Sequence, residues 1–165
     1  MDSATKNWMV ANRDKLGDSI LDIGSFSVNG SLRDVIPVTV GIDMRKGQGV
    51  DVVCSVSDLK DHFADGSFDS CVSAGTLEHV EDWKGFVNNT WDAVKEGGYL
   101  VMTVASMNKG RHNYPNDYWR FTVEQLREIY PSAEWIGKVG NVSYGWIVKK
   151  SGERPNINVV PKEVG

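Results

Sequence analysis

The chain reads Ile20-Leu21-Asp22-Ile23-Gly24-Ser25 near its start, an apolar run that includes an acid and closes on a glycine and a serine. A second apolar run, Val38-Thr39-Val40-Gly41-Ile42-Asp43, also ends in an acid. An open α/β sheet holds a nucleoside with a strand, a glycine turn and an acid that closes the next strand about 20 residues later. The glycine lets the backbone approach a ligand, and the second acid can accept hydrogen bonds from both ribose hydroxyls. The two runs therefore predict an adenosyl cofactor site on an α/β domain.

Length and composition describe a small globular protein. The chain has 165 residues, which fits one domain, and we assign residues 1–150 to that domain and residues 151–165 to a polar C-terminal tail. Hydrophobic residues make up 41% and charged residues 24% of the chain, as in soluble proteins. A net charge of -4 leaves no basic stripe, so we expect no nucleic-acid partner.

The sequence carries no pattern typical of a membrane or exported protein. No apolar run approaches the roughly 20 residues that a membrane span needs, so we expect no membrane partner. Residues 1–18 are mixed polar and acidic, unlike a secretory signal. Cys54 and Cys71 lie in separate strand-like runs, which predicts buried free thiols and no metal site built on cysteine spacing. We therefore expect a cytoplasmic protein.

Apolar runs and helical periodicity alternate along the chain. Strands are predicted at Ile20–Ile23, Val38–Ile42, Val50–Cys54, Phe68–Val72, Tyr99–Ala105, Ala133–Val139 and Tyr144–Lys149. Helices are predicted at Ala4–Leu16, Leu59–Phe63, Glu81–Lys95 and Thr122–Tyr130. This alternation predicts a mainly parallel sheet with helices on both faces. The last two strands should form an antiparallel hairpin, because the gap between them is too short for a parallel crossover.

The order of several short motifs carries a family resemblance. The motifs are Ile20–Ser25, Gly41–Arg45, Val50–Cys54, Phe68–Val80, Val94–Leu100 and Tyr114–Phe121. Together they span about Ile20 to Lys149, and in this order the chain resembles a class I S-adenosylmethionine-dependent methyltransferase of the small-molecule, type 11-like kind. The last motif is similar to a bacterial and phage-type subgroup that carries Tyr-Pro-x-Asp-Tyr-Trp-Arg after the fifth strand.

The resemblance implies a fold and a cofactor. The fold would be a three-layer, doubly wound α/β arrangement with a mainly parallel seven-stranded sheet and an antiparallel last strand, the Rossmann-like methyltransferase fold. S-adenosylmethionine would lie with its amino-acid part over Asp22, Gly24 and Ser25 and its ribose on Asp43. The residues implied for its adenine are Met44, Ser55 and Val56, and those for its methyl end are Ser73 and Ala74. Without a ligand, Asp22 would be a loop cap and Asp43 a solvated strand end.

Two positions depart from the family pattern. Phe26 and Val28 stand where the first loop of the family usually carries further glycines, and Asn29-Gly30 follows as an alternative glycine turn. Ser55 stands at an adenine-facing position that is often Asp, and serine is a weaker acceptor for the exocyclic amine. Each change would cost about one hydrogen bond, roughly 0.5–1.5 kcal/mol of cofactor affinity.

A polar and aromatic set after the fourth and fifth strands supplies the candidates for catalysis. His79, His112 and Asp117 are the candidate catalytic residues, with an exposed helix start at Glu78-His79 and ordinary loop polarity as the alternatives. The candidate acceptor-binding residues are Tyr114, Tyr118, Trp119 and Arg120. In one interpretation this loop is a lid that binds an acceptor by stacking and hydrogen bonds. In the other, Asp117 and Arg120 form a salt bridge that fixes the loop.

The function implied is methyl transfer from S-adenosylmethionine to a small-molecule or sugar and glycan-precursor acceptor, with oxygen as the expected methylated atom. The sulfonium donor is already activated, so the protein has to position the acceptor and remove a proton, and the reaction needs no metal in principle. The alternative is a degenerate methyltransferase fold that serves as a binding or scaffold subunit. The missing glycines and the short first crossover favour that alternative.

Two other enzyme classes fit the sequence poorly. A nicotinamide dehydrogenase would carry Gly-x-Gly-x-x-Gly after the first strand, and this chain does not. An amino-group methylase of nucleic acids resembles this fold but carries Asn-Pro-Pro-Tyr or Asp-Pro-Pro-Tyr after the fourth strand, where Ser73-Ala74-Gly75-Thr76 stands here. The few inserts leave the pocket either open or completed by a second copy, so a homodimer or larger complex stays an alternative.

Overall fold

A seven-stranded sheet forms the centre of the protein in a computed structural model that describes residues 1–113 and 116–164. The strands are β1 Ile20–Ile23, β2 Val40–Asp43, β3 Val52–Val53, β4 Phe68–Ala74, β5 Val94–Ala105, β6 Trp119–Arg120, β7 Trp135–Val139, β8 Ser143–Lys149 and β9 Lys162–Glu163. The helices are α1 Ser3–Ala11, α2 Leu59–His62, α3 Trp83–Ala93 and α4 Val123–Ile129. Single 3-10 turns lie at Arg13–Lys15, Leu32–Asp34, Val56–Asp58 and Leu77–His79.

The strand order in the sheet is β3-β2-β1-β4-β5-β8-β7. The pairs from β3 through β5 are parallel, whereas β8 is antiparallel to both β5 and β7. This confirms the mainly parallel sheet with an antiparallel last strand. The chain moves outward from β1 in one direction through β2 and β3 and in the other through β4 and β5. The carboxyl ends of β1 and β4 therefore meet at a switch point, where open α/β sheets bind ligands.

Two apolar layers cover the sheet and bury its central strands on both faces. The larger layer packs α3 and α4 against one face through Phe86, Trp91, Leu126 and Trp146 among others. The smaller layer places α1 and the Leu32–Asp34 turn against the other face, around Met9, Leu16 and Val101. Residues alternate between the layers along β1, since Ile20 belongs to the smaller layer and Leu21 to the larger. This confirms the three-layer arrangement.

Local capping explains where the helices begin. Asp2 accepts a hydrogen bond from the Thr5 backbone N–H at 2.8 Å, and Asp82 accepts one from Gly85 at 2.9 Å. The capping box predicted at the start of α4 is confirmed. The first helix ends earlier than predicted, at Ala11 rather than Leu16. There the side chain of Asn12 donates to the Trp8 carbonyl and a 3-10 turn follows.

The C-terminal segment lies against the domain. Within residues 151–164, β9 pairs with β6 and Val159 is buried in the larger apolar layer. The Asn156 backbone N–H donates to the Ile129 carbonyl at 2.8 Å, and the Arg154 guanidinium pairs with Asp92 at 2.6 Å. Across the described residues, no helix is both long and apolar enough to span a bilayer.

Candidate cofactor and acceptor site

A cavity of about 760 Å³ opens at the carboxyl ends of β1, β2 and β4. Its lining includes eight of the nine residues predicted to bind a cofactor, namely Asp22, Gly24, Ser25, Asp43, Met44, Ser55, Val56 and Ala74. The ninth, Ser73, lies inside the sheet instead, and its hydroxyl donates to the Ile23 carbonyl at 3.0 Å. Ser73 therefore fixes the spacing of β1 and β4 rather than facing the cavity.

The turn after β1 has a conformation that only glycine adopts easily. Gly24 has a φ of 76°, and a Cβ there would clash with the Thr76 side chain. The hydroxyl of Thr76 donates to the Ile23 carbonyl at 3.1 Å, so this threonine locks the turn against the loop after β4. Ser25 lines the cavity, and its buried hydroxyl has no hydrogen-bond partner among the described residues. That unpaired hydroxyl fits a polar ligand group.

Asp22 is the most deeply placed carboxyl group of the cavity, with 3% of its surface exposed. Burial raises its pKa to about 8, an effect that Arg33 opposes and the neighbouring Asp43 reinforces. Burial of a carboxylate is unfavourable unless a cation or hydrogen-bond donors compensate it. Asp22 therefore fits a ligand that brings an ammonium or sulfonium charge, as S-adenosylmethionine does.

Asp43 is held at the end of β2 by its own loop. Its Oδ1 accepts hydrogen bonds from the backbone N–H and the Nε of Arg45, at 2.9 and 3.1 Å. Its Oδ2 accepts a longer bond of 3.4 Å from the Phe26 backbone N–H. The Arg45 guanidinium lies over the Phe26 ring, 4.4 Å from its centroid. This contact orients the carboxylate and keeps Phe26, which replaces a glycine of the family pattern, on the cavity wall.

The adenine-facing candidates form the rim of the cavity on the β2–β3 side. Met44 is exposed, and Val56 is buried at the start of the 3-10 turn after β3. The Ser55 hydroxyl caps that turn by accepting a hydrogen bond from the Ser57 backbone N–H at 3.1 Å. This bond leaves the hydroxyl with limited capacity to accept from an exocyclic amine, so Ser55 acts on the rim mainly through its backbone and shape.

The Leu77–His79 turn and the loop after β5 meet at the other end of the cavity. The rings of His79 and His112 pack edge to face with centroids 4.7 Å apart, and His79 lines the cavity. Glu78 is 1% exposed, and its Oε1 accepts a hydrogen bond from the Ala105 backbone N–H at 3.2 Å. The alternative interpretation of Glu78 as part of an exposed helix start is therefore wrong. The structure thus brings both candidate histidines together beside a buried carboxyl group that the sequence did not single out.

Asp117 lies behind His112 rather than on the cavity wall. Its Oδ2 accepts from the His112 backbone N–H at 2.8 Å and is 3.3 Å from the His112 Nδ1. Burial by itself would raise its pKa, but hydrogen bonds from Arg120 and His112 outweigh burial and hold it at about 2. A carboxylate that remains ionised is a weak base, so Asp117 is placed to orient His112 rather than to take a proton from an acceptor.

The surroundings of His112 favour its neutral form. Burial lowers its pKa, Lys109 and His79 lower it further, and Asp117 opposes them. A neutral imidazole has one nitrogen free to accept a proton or to bind a metal.

The acceptor-binding candidates separate into different roles. Tyr118 lines the cavity, whereas Trp119 donates from its Nε1 to the Val80 and Glu81 carbonyls at 3.0 and 3.1 Å. Arg120 is buried and its guanidinium bonds to Asp117. Trp119 and Arg120 therefore hold the loop in place, which matches the salt-bridge interpretation. Tyr114 lies outside the described residues.

Solved structures with a similar fold include methyltransferases. A Burkholderia thailandensis 1,6-didemethyltoxoflavin-N1-methyltransferase, with its substrate and S-adenosylhomocysteine bound, has a TM-score of 0.68 at 15% identity, over 90% of this chain and 77% of that chain. The PH0226 protein of Pyrococcus horikoshii has a TM-score of 0.68 at 17% identity, over 90% and 88%. An Aquifex aeolicus SAM-dependent methyltransferase has a TM-score of 0.61 at 16% identity, over 87% of each chain. At these identities the likeness shows the fold.

The family comparison adds the sequence evidence. The model of the methyltransferase domain family matches residues 34–102, from the turn before β2 to the middle of β5. Over these residues the chain is similar to a methyltransferase domain, and the fold around them is one that SAM-dependent methyltransferases share. S-adenosylmethionine, the cofactor predicted from the sequence, is the methyl donor of this family. No curated protein matches the sequence at a significant level. The comparisons do not favour the scaffold alternative for this methyltransferase domain, and they leave its acceptor open.

Proposed function

We propose that this methyltransferase binds S-adenosylmethionine in the cavity and transfers the methyl group to a hydroxyl of a small-molecule acceptor, such as a sugar or glycan precursor. The observation that carries the proposal is the position of Asp22 and Asp43. Asp22 lies near the end of β1 and Asp43 is the last residue of the neighbouring parallel strand β2. Both line one cavity, which continues to His79 and Tyr118. The volume of about 760 Å³ suits a cofactor with a small acceptor beside it.

Each part of the cofactor has a chemical partner in the lining. The ribose hydroxyls can donate to Asp43, whose Oδ2 has only a long bond of 3.4 Å to the Phe26 N–H. The ammonium group can compensate the buried carboxyl group of Asp22, and the carboxylate can accept from the unpaired Ser25 hydroxyl. Met44 and Val56 supply apolar surface for the adenine. Ala74, at the end of β4, is next to the methyl end and leaves room for the acceptor.

His79 and His112 supply the proton chemistry. The cofactor brings an activated methyl group, so the remaining requirement is an acceptor oxygen that loses its proton as the new bond forms. His79 lines the cavity and can take that proton on its imidazole, with the His112 ring packed against it. Asp117, held by Arg120, orients His112 from behind. A base at this position serves a hydroxyl acceptor, and an ammonium acceptor would need the same base.

Thermal unfolding in the presence of S-adenosylhomocysteine tests the proposal. With ligand at 100 times its Kd, linkage predicts about 2.7 kcal/mol of stabilisation. For a chain of this size that corresponds to a rise of roughly 5–11 °C in Tm. NAD⁺ at the same concentration is the control and should leave Tm unchanged. An absent shift with S-adenosylhomocysteine, or an equal shift with NAD⁺, would contradict the proposal.

A second assay addresses the acceptor. Wild-type protein with S-adenosylmethionine is incubated with a panel of sugars and hydroxylated aromatics and with a matched panel of amines, and S-adenosylhomocysteine is quantified by mass spectrometry. We expect product formation that depends on a hydroxyl acceptor. Turnover with amines alone would contradict transfer to oxygen while leaving methyl transfer in place.

A further inference from the structure

Three side chains that can ligate a metal converge beside the acceptor end of the cavity, where one of them, His79, lies on the cavity wall. A carboxylate oxygen of Glu78 and a ring nitrogen from each of His79 and His112 lie within 4.8 Å of one another. Metal–ligand bonds of about 2.0–2.2 Å place the ligands of one ion roughly 3–4 Å apart. Glu78 is fixed in the interior while both imidazoles are only partly buried, so rotation of the rings can close the difference.

The hydrogen bonding of these side chains leaves atoms unused. Glu78 has one oxygen, Oε1, on the Ala105 N–H, whereas Oε2 is buried with no hydrogen-bond partner among the described residues. An unpaired carboxylate oxygen in the interior is unfavourable and requires compensation. Arg120, the nearby guanidinium, is already bonded to Asp117. A cation held between Glu78 and the histidines would supply the missing partner.

The backs of both histidine rings face the partners that metal-binding histidines use. The Nδ1 of His79 contacts the Asn116 carbonyl. The Nδ1 of His112 lies 3.3 Å from the Asp117 carboxylate, although no group among the described residues is aligned for a hydrogen bond with it. A ligating histidine almost always directs its second nitrogen to a backbone carbonyl or a carboxylate, which fixes the ring orientation. This arrangement leaves the Nε2 of each ring available for an ion.

We propose that Glu78, His79 and His112 bind one divalent transition-metal cation, such as Zn²⁺ or Mn²⁺. Two imidazoles and one carboxylate suit such ions, and three protein ligands leave positions open for water or substrate, as in catalytic metal sites. Since His79 lines the cavity, an acceptor hydroxyl can occupy an open position, where the ion lowers the pKa of that hydroxyl. With the ion bound, the His79 imidazole is a ligand rather than the base, and the proton of the acceptor hydroxyl passes to solvent water. This catalytic role rests on the proposed function, but binding of the ion does not.

Isothermal titration of the metal-free full-length protein with Zn²⁺, and separately with Mn²⁺, tests the site. The variants are His79→Ala and His112→Ala, and the matched control is His62→Ala, which removes the exposed histidine of α2. We expect one ion per chain in the wild type and in the control, with Kd values within about twofold of each other. In His79→Ala and in His112→Ala the Kd should rise at least tenfold, on the order of 100-fold. The inference is overturned if the wild type binds no stoichiometric ion, or if both of these variants keep the wild-type Kd.

Further measurements separate this inference from the proposed function. Thermal unfolding of each metal-free variant checks that the variant is folded. Glu78→Gln is also titrated, provided that this variant is folded. A Tm shift with S-adenosylhomocysteine in the metal-free wild type, together with no ion binding, would overturn the metal site and leave the proposed function intact. Ion binding through His79 and His112 without any shift would support the metal site and contradict the proposed function.

Discussion

Asp22 couples the folding of the domain to pH. Its pKa is about 8 in the folded protein against 3.8 for an ordinary Asp, so the folded state holds a proton that the unfolded state has lost between these values. The free energy of unfolding of the unliganded protein should therefore fall as pH rises through this window. This fall in the free energy of unfolding should be smaller in Asp22→Asn. Glu78 accounts for part of the fall that remains, because burial raises its pKa as well.

Urea unfolding at several values between about pH 5 and pH 8 measures this effect. Asp61→Asn, on the exposed surface of α2, is the control and should follow the wild type. An Asp22→Asn protein that shows the full wild-type dependence on pH would mean that Asp22 is ionised in the folded state.

Asp43 should dominate the affinity for the cofactor. Asp43→Asn replaces an ionised acceptor for the ribose hydroxyls by a neutral amide, and hydrogen bonds to charged groups contribute about 1.5–3 kcal/mol. We expect the Kd for S-adenosylhomocysteine, measured by isothermal titration, to rise roughly 10- to 100-fold. Asp61→Asn again serves as the control, and an unchanged Kd in Asp43→Asn would place the ribose elsewhere.

The turn that follows β1 requires a glycine at position 24 for two separate reasons. Gly24→Ala would introduce strain at a φ of 76° and also a clash with Thr76. Gly97→Ala is a matched control, since Gly97 has a φ of 79° but open space around it. Backbone strain of this kind costs about 1–3 kcal/mol.

We therefore expect both glycine variants to be less stable to urea, with the larger loss in Gly24→Ala. Only Gly24→Ala should also weaken binding of S-adenosylhomocysteine, because only that turn lies on the cavity. Equal losses of stability and unchanged binding in both variants would mean that the Thr76 contact has no role in shaping the site.

The loop after β5 depends on the buried pair of Asp117 and Arg120. Arg120→Met leaves the Asp117 carboxylate buried without its partner, which costs about 3–5 kcal/mol for pairs of this kind. Arg154→Met removes the guanidinium that pairs with Asp92. The Arg154 side chain is 53% exposed, and exposed pairs contribute about 0–1 kcal/mol. Urea unfolding at neutral pH compares the two variants, and similar losses would show that the loop is held by other contacts.

The same pair should stabilise the fold against acid. Because the folded pKa of Asp117 is about 2 and lies below the ordinary 3.8, its contribution is present above that ordinary value and is lost as pH falls toward 2. The stability difference between wild type and Arg120→Met should therefore shrink in this acidic range.

The elements that the sequence predicts well are those governed by local pattern. Continuous apolar runs identify the long central strands, and the Thr122 capping box identifies the start of α4. The pairing of β6 with β9 was not predicted, because a two-residue strand carries no periodic signal and its partner lies at the far end of the chain. The early end of α1 depends on one side-chain contact, from Asn12 to the Trp8 carbonyl.

The same division applies to the candidate site. Asp22 lies near the end of β1, Gly24 follows that strand and Asp43 is the last residue of β2, so the pattern of acid and glycine makes all three visible. The burial of Glu78 and the role of Thr76 depend on contacts across the sheet with Ala105 and Ile23, which no local pattern reveals. Phe26 is visible in the sequence only as a missing glycine, although its ring packs against Arg45.

At the scale of the whole molecule, the sheet topology brings these groups together. The switch point between β1 and β4 places the Asp22 and Asp43 carboxyl groups at one end of the cavity. The loop after β4 adds His79 at the other end, where His112 from the loop after β5 packs against the His79 ring. Residues that are nearly 100 positions apart in the chain, such as Asp22 and Tyr118, thus line one cavity.

The most direct measurement of this account is a crystal structure of the protein with S-adenosylhomocysteine. We predict that the Asp43 carboxylate accepts from both ribose hydroxyls, that the ammonium group lies toward Asp22, and that the sulfur faces the His79 end of the cavity. A cavity without the compound at saturating concentration, or the compound bound away from both carboxyl groups, would contradict the account.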